Sequence, residues 1–542
     1  MRVRLRTAVA AVAGVTLTAV AIPAASAGSA GPGGQDGRGG PSRHTDYRRA
    51  ADPTFELVGS YRTGLADPAE GATSGEVAHF ADGRLYVTNA TDASVDIVDA
   101  RDPAAPRLLR RIDLSAYGET VTSVAAGRNQ IAAAVESGTE PGKVVLFTPE
   151  GRDLRAVAVG AGPDMVTFTP DGRRILVANE GEPSGYEPGD VDPAGSVSVI
   201  DLTPRQPKVT TIGFQDFDPG ARRAKELPAG VRVFGSPLPS LDLEPEYVTV
   251  SADGHTAWVS LQENNAIAVL DLKRLTVSRI NALGFKDLSA PGNGLDASDR
   301  DGGINIRTWP NILGMYQPDA LAAFSVRGRS YVLSANEGDA REYDGLVEAA
   351  RLRSTTTDAS FGPDRADTAA GRLNVTTATP GQPSGQSKAY AFGTRSFTVW
   401  DGSTGALVAD SGDQLEQTLA TALPANFNSN NDENTFDNRS DDKGPEPEAV
   451  AVGEVNGRTF GFVGMERVGG FAVVDLSNPK EPEIVQYLNN RDFTLTDTVG
   501  PDSGPEIIDF VDARNSPTHR PLVIVSNEIT GTVSLYGLAG RS

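Results

Sequence analysis

Short runs in which apolar and polar residues alternate, or in which β-branched residues crowd together, follow one another along most of this chain. Alternation at period two predicts strands, and the intervening Gly, Asp and Asn residues predict tight turns. The clearest stretch is "EPEYVTVSADGHTAWVSLQENNAIAVLDLKRLTVSRI", residues 244–280. It reads as four strands: "YVTVS", then "TAWVSL" after the turn "ADG", then "AIAVLDL" and "TVSRI". Copies of this unit start near Val77, Val121, Pro163, Pro318, Pro447 and Pro505. A four-stranded unit of about 40 residues, repeated with glycine turns, predicts an all-β fold, a seven-bladed β-propeller over residues 55–540. A β-sandwich predicts no such phase-locked repeat. The last copy stops after its third strand, "TVSLYGL". The run "FELVGSYRT" (Phe55–Thr63) has no unit of its own, and is expected to complete that blade and remove an open edge.

With strands labelled a to d from the channel outward, the b–c and d–a connections must share one face of the disc. Two acidic series fall there. Pro followed by an acid precedes strand a at Asp164, Glu246, Asp319, Glu448 and Glu506. A second acid follows strand b at Glu180, Glu263, Glu337, Glu466 and Glu528, and three of these sit in Asn-Glu: "VANEGEPSG", "VLSANEGDAREYDG" and "VSNEITGTV". The long insertions 181–195, 213–243, 281–316, 338–395 and 413–444 map to the same face. Long loops on one side of a rigid scaffold are where function usually sits. Two carboxylates ~4 Å apart repel by about 4 kcal/mol at an effective dielectric of ~20. Arginines, raised pKa values, backbone N–H groups or a bound cation must offset that repulsion, and Arg341 and Arg467 are the nearest arginines in sequence. Oxygen ligands without Cys or His point to Ca²⁺ rather than zinc. Acids and Asn at loop starts also cap turns, and the sequence leaves both roles open. "GNGLDASDRDGGINI" adds Asp296, Asp299, Asp301 and Asn305 at calcium-loop spacing, without the closing Glu of an EF-hand. Asp299 and Asp301 join the candidate metal ligands. "NFNSNNDENTFDNRSDDKGPEPE" packs Asp432, Glu433, Asp437, Asp441 and Asp442 ahead of a Pro-Glu pair.

Composition narrows the partners. The formal charge is -22, from 49 Lys+Arg against 71 Asp+Glu, and no basic block interrupts it. Such a surface repels nucleic acid and anionic membranes. "MRVRLR", an apolar run and "ASA" at Ala25–Ala27 form a secretion signal over residues 1–27, followed by a Gly-rich leader over 28–54, expected to be unstructured. No membrane anchor is expected, and the chain is expected to be a monomer. There are no cysteines, so no disulfide staples the exported protein. G-x-S-x-G, H-E-x-x-H and Walker motifs are absent, and His255 and His519 fall in a–b turns on the opposite face, which argues against a Ser-His-Asp triad or a zinc hydrolase.

"GPDMVTFTPDGRRILVANEGEPS", "PSLDLEPEYVTVS", "LDASDRDGGINI", "SANEGDAREYDG", "NRSDDKGPEPEAV" and "IVSNEITGTVSLYGL" resemble the choice-of-anchor I family, in register from about Phe55 to Leu538. The resemblance implies an extracellular propeller, in some members fused to phosphoesterase domains or carrying an anchor. Two readings of function follow. The first is a secreted, calcium-binding propeller that takes a mineral surface, glycan or protein on its acidic face. The alternative is a metal-dependent phosphoesterase, alkaline phosphatase- or phytase-like, with Arg341 as an anion clamp. The signal reading predicts that protein recovered from culture supernatant starts at Gly28 by intact mass; a species retaining Met1 would overturn it.

Overall fold

The computed structural model of the chain describes residues 45–48, 53–68, 71–355, 359–378, 387–496 and 498–539. The expected signal segment lies outside these residues. Among them, seven four-stranded antiparallel units follow the order a, b, c, d, with each strand paired to the next. The inner strands are Ala78–Ala81, Thr120–Ala126, Pro163–Phe168, Pro245–Val250, Leu321–Val326, Pro447–Val455 and Pro505–Val511. Each contacts its successor, and the last contacts the first, so the units close into the ring of a β-propeller. The turns between strands a and b explain the recurring glycines. Asp82-Gly83, Arg327-Gly328 and Asn456-Gly457 are two-residue loops with positive φ at both positions, the hairpin geometry that matches strand twist.

Phe55–Arg62 pairs antiparallel with Thr532–Leu538 and supplies the outer strand of the seventh unit. Chain start and chain end therefore meet in one sheet, which leaves no unpaired edge on Thr532–Leu538. Phe55 is buried, stands edge-on to Phe462 at 5.4 Å, and its backbone N–H donates to Gln486 Oε1 at 2.9 Å. This strand thus ties the seventh unit to the sixth. Thr45–Arg48 pairs outside Glu483–Asn489 as a fifth strand of the sixth unit. Strand pairing begins there, ahead of the expected start at Phe55 and inside the segment read as leader.

The insertions are not separate loops. Segments 281–316 and 338–395 build one small sheet together: Phe285–Asp287, Ile312–Met315, Ala389–Ala391, Asn374–Thr376 and Ala349–Arg351, with one parallel pairing, Ile312–Met315 on Ala389–Ala391. Trp309, Leu352, Phe361 and Leu373 pack its core, and the Trp309 indole N–H donates to Leu295 O at 2.8 Å. In segment 413–444 the helix Gln414–Ala422 buries Leu415 and Leu419 against the fifth and sixth units. No helix among the described residues is long and apolar enough to cross a membrane. Replacing Phe55→Ala removes the aromatic anchor of the closing strand and is expected to cost about 3–5 kcal/mol by chemical denaturation. An unchanged midpoint would contradict the closure.

Candidate functional site

Strand register decides where the two acidic series stand. Pro163 pairs with Asn179, Pro245 with Leu261, Pro447 with Met465 and Pro505 with Asn527. The start of strand a is therefore level with the end of strand b, and both series share one rim. In those four units the register shifts immediately after the proline, so Asp164, Glu246, Glu448 and Glu506 lie in β-bulges. A bulge re-aims the extra residue out of the ladder, so each of these carboxylates is released from the regular strand pattern at the rim.

The dipeptide Asn-Glu divides its labour. Asn179 donates to Ser196 O and Ser198 Oγ and accepts from the Gly160 N–H at 3.2 Å. Asn336 donates to Thr398 Oγ1 at 2.8 Å, and Asn527 to Thr532 O at 3.2 Å. In each case the amide fastens the end of strand b to strand c. The following Glu is left on the rim.

There the carboxylates gather into clusters whose oxygens lie within 4.8 Å of one another: Glu180–Glu246–Glu263, Asp319–Glu337–Glu448, Glu337–Glu446–Glu466 and Asp296–Asp301–Asp437. Glu506 shares a hydrogen bond with Glu448. Glu528 and Asp164 both act on Glu76. Every acid of the two series thus lies in, or next to, one crowded rim.

The clusters differ in how their charge is balanced. Around Glu446, Lys443 Nζ lies 2.8 Å from both Glu446 and Glu337, Arg467 is 3.1 Å from Glu446 and 3.0 Å from Glu466, and Arg439 pairs with Glu446 and Asp442. Burial pushes Glu446 up, but Arg439, Arg467 and Lys443 hold it below the usual carboxylate range. That group is an ion-pair network. At Glu466, on the edge of that network, and at other rim acids the balance falls to protons. Desolvation, reinforced by neighbouring acids, pushes Glu448 and Glu506 well above their usual range and Glu466 and Glu76 up to about 8. Burial raises Asp437 to about 8 and Asp296 to about 6.

Two expectations change. Asp299 is not part of the Asp296–Asp301–Asp437 group. It pairs with Arg372 at 2.7 Å and Arg300 at 3.1 Å, while Asp296, three residues earlier on the same loop, takes its place beside Asp301. Asp437 completes that group from segment 413–444, across the sequence from it. Arg341 is no solvent-facing anion clamp. It is fully buried, 2.6 Å from Asp242 Oδ1 and 3.1 Å from Glu244 Oε1, over the Phe234 ring. Sequence reading also passed over Glu76 and Glu136, because their units lack the Pro-acid and Asn-Glu pairs. Their equivalent offsets in the repeat were the available signal. His79 stands on the first inner strand, 3.5 Å from Asp509.

Comparison with known proteins agrees with this architecture. The family model for the choice-of-anchor I domain matches residues 77–479. Gigasin-3a of Magallana gigas is 32% identical over 203 residues, 35% of this chain and 69% of that protein. The mesenchyme-specific cell surface glycoprotein of Strongylocentrotus purpuratus is 30% identical over 327 residues, 52% of this chain and 42% of that protein, so the chain spans less than half of that relative. Among solved structures, the β-propeller domain of Cps50 (Swd1) from Myceliophteria thermophila aligns over 90% of this chain and 100% of its own, with 11% identity and a TM-score of 0.43. Hydrazine synthase from Kuenenia stuttgartiensis aligns over 88% and 96%, with 12% identity and a TM-score of 0.45.

The raised carboxyl pKa values fix a sign for pH dependence. A carboxyl such as Glu466, at about 8 in the fold and 4.5 when unfolded, binds its proton more tightly in the native state. Its contribution is fully present below the unfolded value and is lost as pH rises through the folded one. The chelator-treated protein is therefore expected to melt higher at about pH 5.5 than at about pH 8. A melting temperature that rises across that window would contradict the assignment.

Proposed function

Since this chain belongs to the choice-of-anchor I family, we propose that it is an extracellular, calcium-binding β-propeller that takes its ligand on the acidic, insertion-bearing face. The convergence of buried carboxylates at one rim carries this reading. Carboxylate oxygens at mutual distances within 4.8 Å, in a rim with no Cys, have the donor chemistry of a hard divalent cation. Asp319, Glu337 and Glu448 would hold an ion at the channel mouth, Glu180, Glu246 and Glu263 one between the third and fourth units, and Asp296, Asp301 and Asp437 one between two insertions. A bound Ca²⁺ would replace the protons that otherwise quiet Glu448, Asp437 and Asp296, so binding at those groups would release protons.

The extracellular assignment draws on the names of the relatives, one of them a cell surface glycoprotein, and on the signal-like first residues. A mineral surface, a glycan or a protein all suit a face that presents cations held by carboxylates. The phosphoesterase reading loses the residue that recommended it, because Arg341 is committed to Asp242 and Glu244. Removing Arg341 would leave two buried acids without their guanidinium, costing about 3–5 kcal/mol in stability whatever the function.

Calcium is expected to raise the melting temperature with concentration, since ligand at ~100 times its Kd adds about 2.7 kcal/mol for one site. Glu246→Gln keeps the side-chain size and removes the charge. It is expected to blunt the calcium response while stabilising the calcium-free protein. Calcium-independent melting together with metal-free protein by elemental analysis would sink the proposal. Steady calcium-dependent turnover of a generic phosphomonoester would favour the alternative.

A further inference from the structure

One of the three-carboxylate groups has a fourth acid beside it that the repeat does not encode. Glu180, Glu246 and Glu263 are all buried, with oxygens within 4.8 Å of one another. Glu244 stands two residues ahead of Glu246, outside both acidic series, and its side chain is 0% exposed. Arg341 approaches Glu244 Oε1 at 3.1 Å, but neither carboxylate oxygen accepts a hydrogen bond, and Oε2 is enclosed with no donor. Arg341 meanwhile spends its better hydrogen bonds on Asp242, at 2.6 Å to Oδ1 and 2.8 Å to the carbonyl. Glu263, a member of the three-acid group, is the foremost negative neighbour of Glu244. An enclosed carboxylate oxygen without a donor costs free energy unless something electropositive meets it.

The same place has a cover. Glu342–Tyr343 and Leu346–Val347 form a two-stranded hairpin. The Tyr186 N–H donates to Asp344 O at 2.8 Å, and the Tyr343 ring meets Tyr186 edge-on at 5.6 Å. Gly345 lies so close to this loop that a Cβ there would sit 2.9 Å from the Tyr186 backbone, at a φ of 88°. The Tyr343 hydroxyl donates to Glu182 Oε1 at 2.8 Å, and Glu244, Glu180 and Glu263 are its other charged neighbours. The hairpin is thus held to the 181–195 loop, with Tyr343 beside Glu182 and among the neighbours of Glu180, Glu244 and Glu263.

We propose that Glu180, Glu246 and Glu263 form a divalent-cation site completed by Glu244 and capped by the Tyr343 hairpin, so that ion occupancy sets the position of residues 342–347 on the ligand face. This rests on the calcium reading above and assigns it to one place. Carboxylate oxygens gathered in this way are the donors that a calcium-sized ion takes up, six to eight at a time. With the ion present, Glu244 Oε2 gains the electropositive partner that Arg341 gives only to Oε1, and Tyr343 is held beside a filled site.

Terbium, which substitutes for calcium and emits when a nearby tyrosine is excited, reads this site directly. Metal-stripped full-length protein is titrated with Tb³⁺, then with Ca²⁺ to displace it. Wild type is expected to show tyrosine-sensitised emission that calcium removes. Glu244→Gln is expected to weaken binding about tenfold or more. Tyr186→Phe/Tyr343→Phe is expected to lose most of the sensitised emission while calorimetry still registers calcium. His255→Ala, in an a–b turn on the opposite face, is expected to leave both readings at wild-type level. Wild-type emission and affinity in Glu244→Gln, or full emission without the two tyrosines, overturns the site. If calcium binds the wild type but is lost only in Asp319→Asn or Asp296→Asn, this site falls and the calcium reading stands. If the wild type takes up neither ion, both fall. Should Glu244→Gln fail to fold by circular dichroism, the tyrosine variant decides alone.

Discussion

Carboxylates held close together in a poorly solvated rim repel one another, and most of the unusual features of this molecule respond to that repulsion. At separations of ~4 Å each pair costs about 4 kcal/mol at an effective dielectric of ~20, against a whole-domain stability of only about 5–15 kcal/mol. The chain meets this cost differently around the rim. Near Glu446 it inserts Lys443, Arg439 and Arg467. At Glu448 and Glu506 it lets two carboxyls share a hydrogen bond. Beside Glu180, Glu246 and Glu263, Arg341 belongs first to Asp242, and Arg232 to Glu348 and the Glu263 carbonyl. The rim is thus neutralised by different means at different places, and the proposed cation sites are where arginine and lysine contribute least.

Such a rim can be maintained only on a rigid support. The propeller provides one because each inner strand is pinned between its neighbours and the last sheet is closed by the strand from the other end of the chain. Bulges at the strand starts release the acids from the regular pattern without breaking the ladders beyond them. The insertions then wall the rim. They share a sheet and a core, and they are stitched to one another by buried pairs such as Arg232–Glu348 and Arg395–Glu416. Burying these ions costs desolvation free energy, so the pairs are better read as fixing one arrangement of the loops than as adding net stability.

The repeat, the a–d strand order and the face that bears the acids were legible because they are local. Alternation is visible in six residues, a two-residue turn in its Asp-Gly or Asn-Gly, and strand direction follows from antiparallel pairing. The Pro-acid and Asn-Glu pairs were readable for the same reason. Glu76 and Glu136 escaped because they occupy the equivalent offsets without the accompanying Pro or Asn, and a motif seen by eye weighs identity above position.

The sequence by itself determined the blades, their closure by Phe55–Arg62 and the existence of one acidic face, since period-two patterning and repeat phase are carried by neighbouring residues. Which acids confront which partners was decided only by the tertiary structure. Arg341 meets Asp242 across 99 positions, Arg232 meets Glu348 across 116, and Arg372 meets Asp299 across 73. Asp299 and Asp296 lie three residues apart on one loop and look alike in sequence. One found an arginine from a different insertion and the other a buried niche beside Asp437. Charge is read by distance in space through a low dielectric, and no local pattern encodes which distant segments the folding of the insertions brings within a few ångströms.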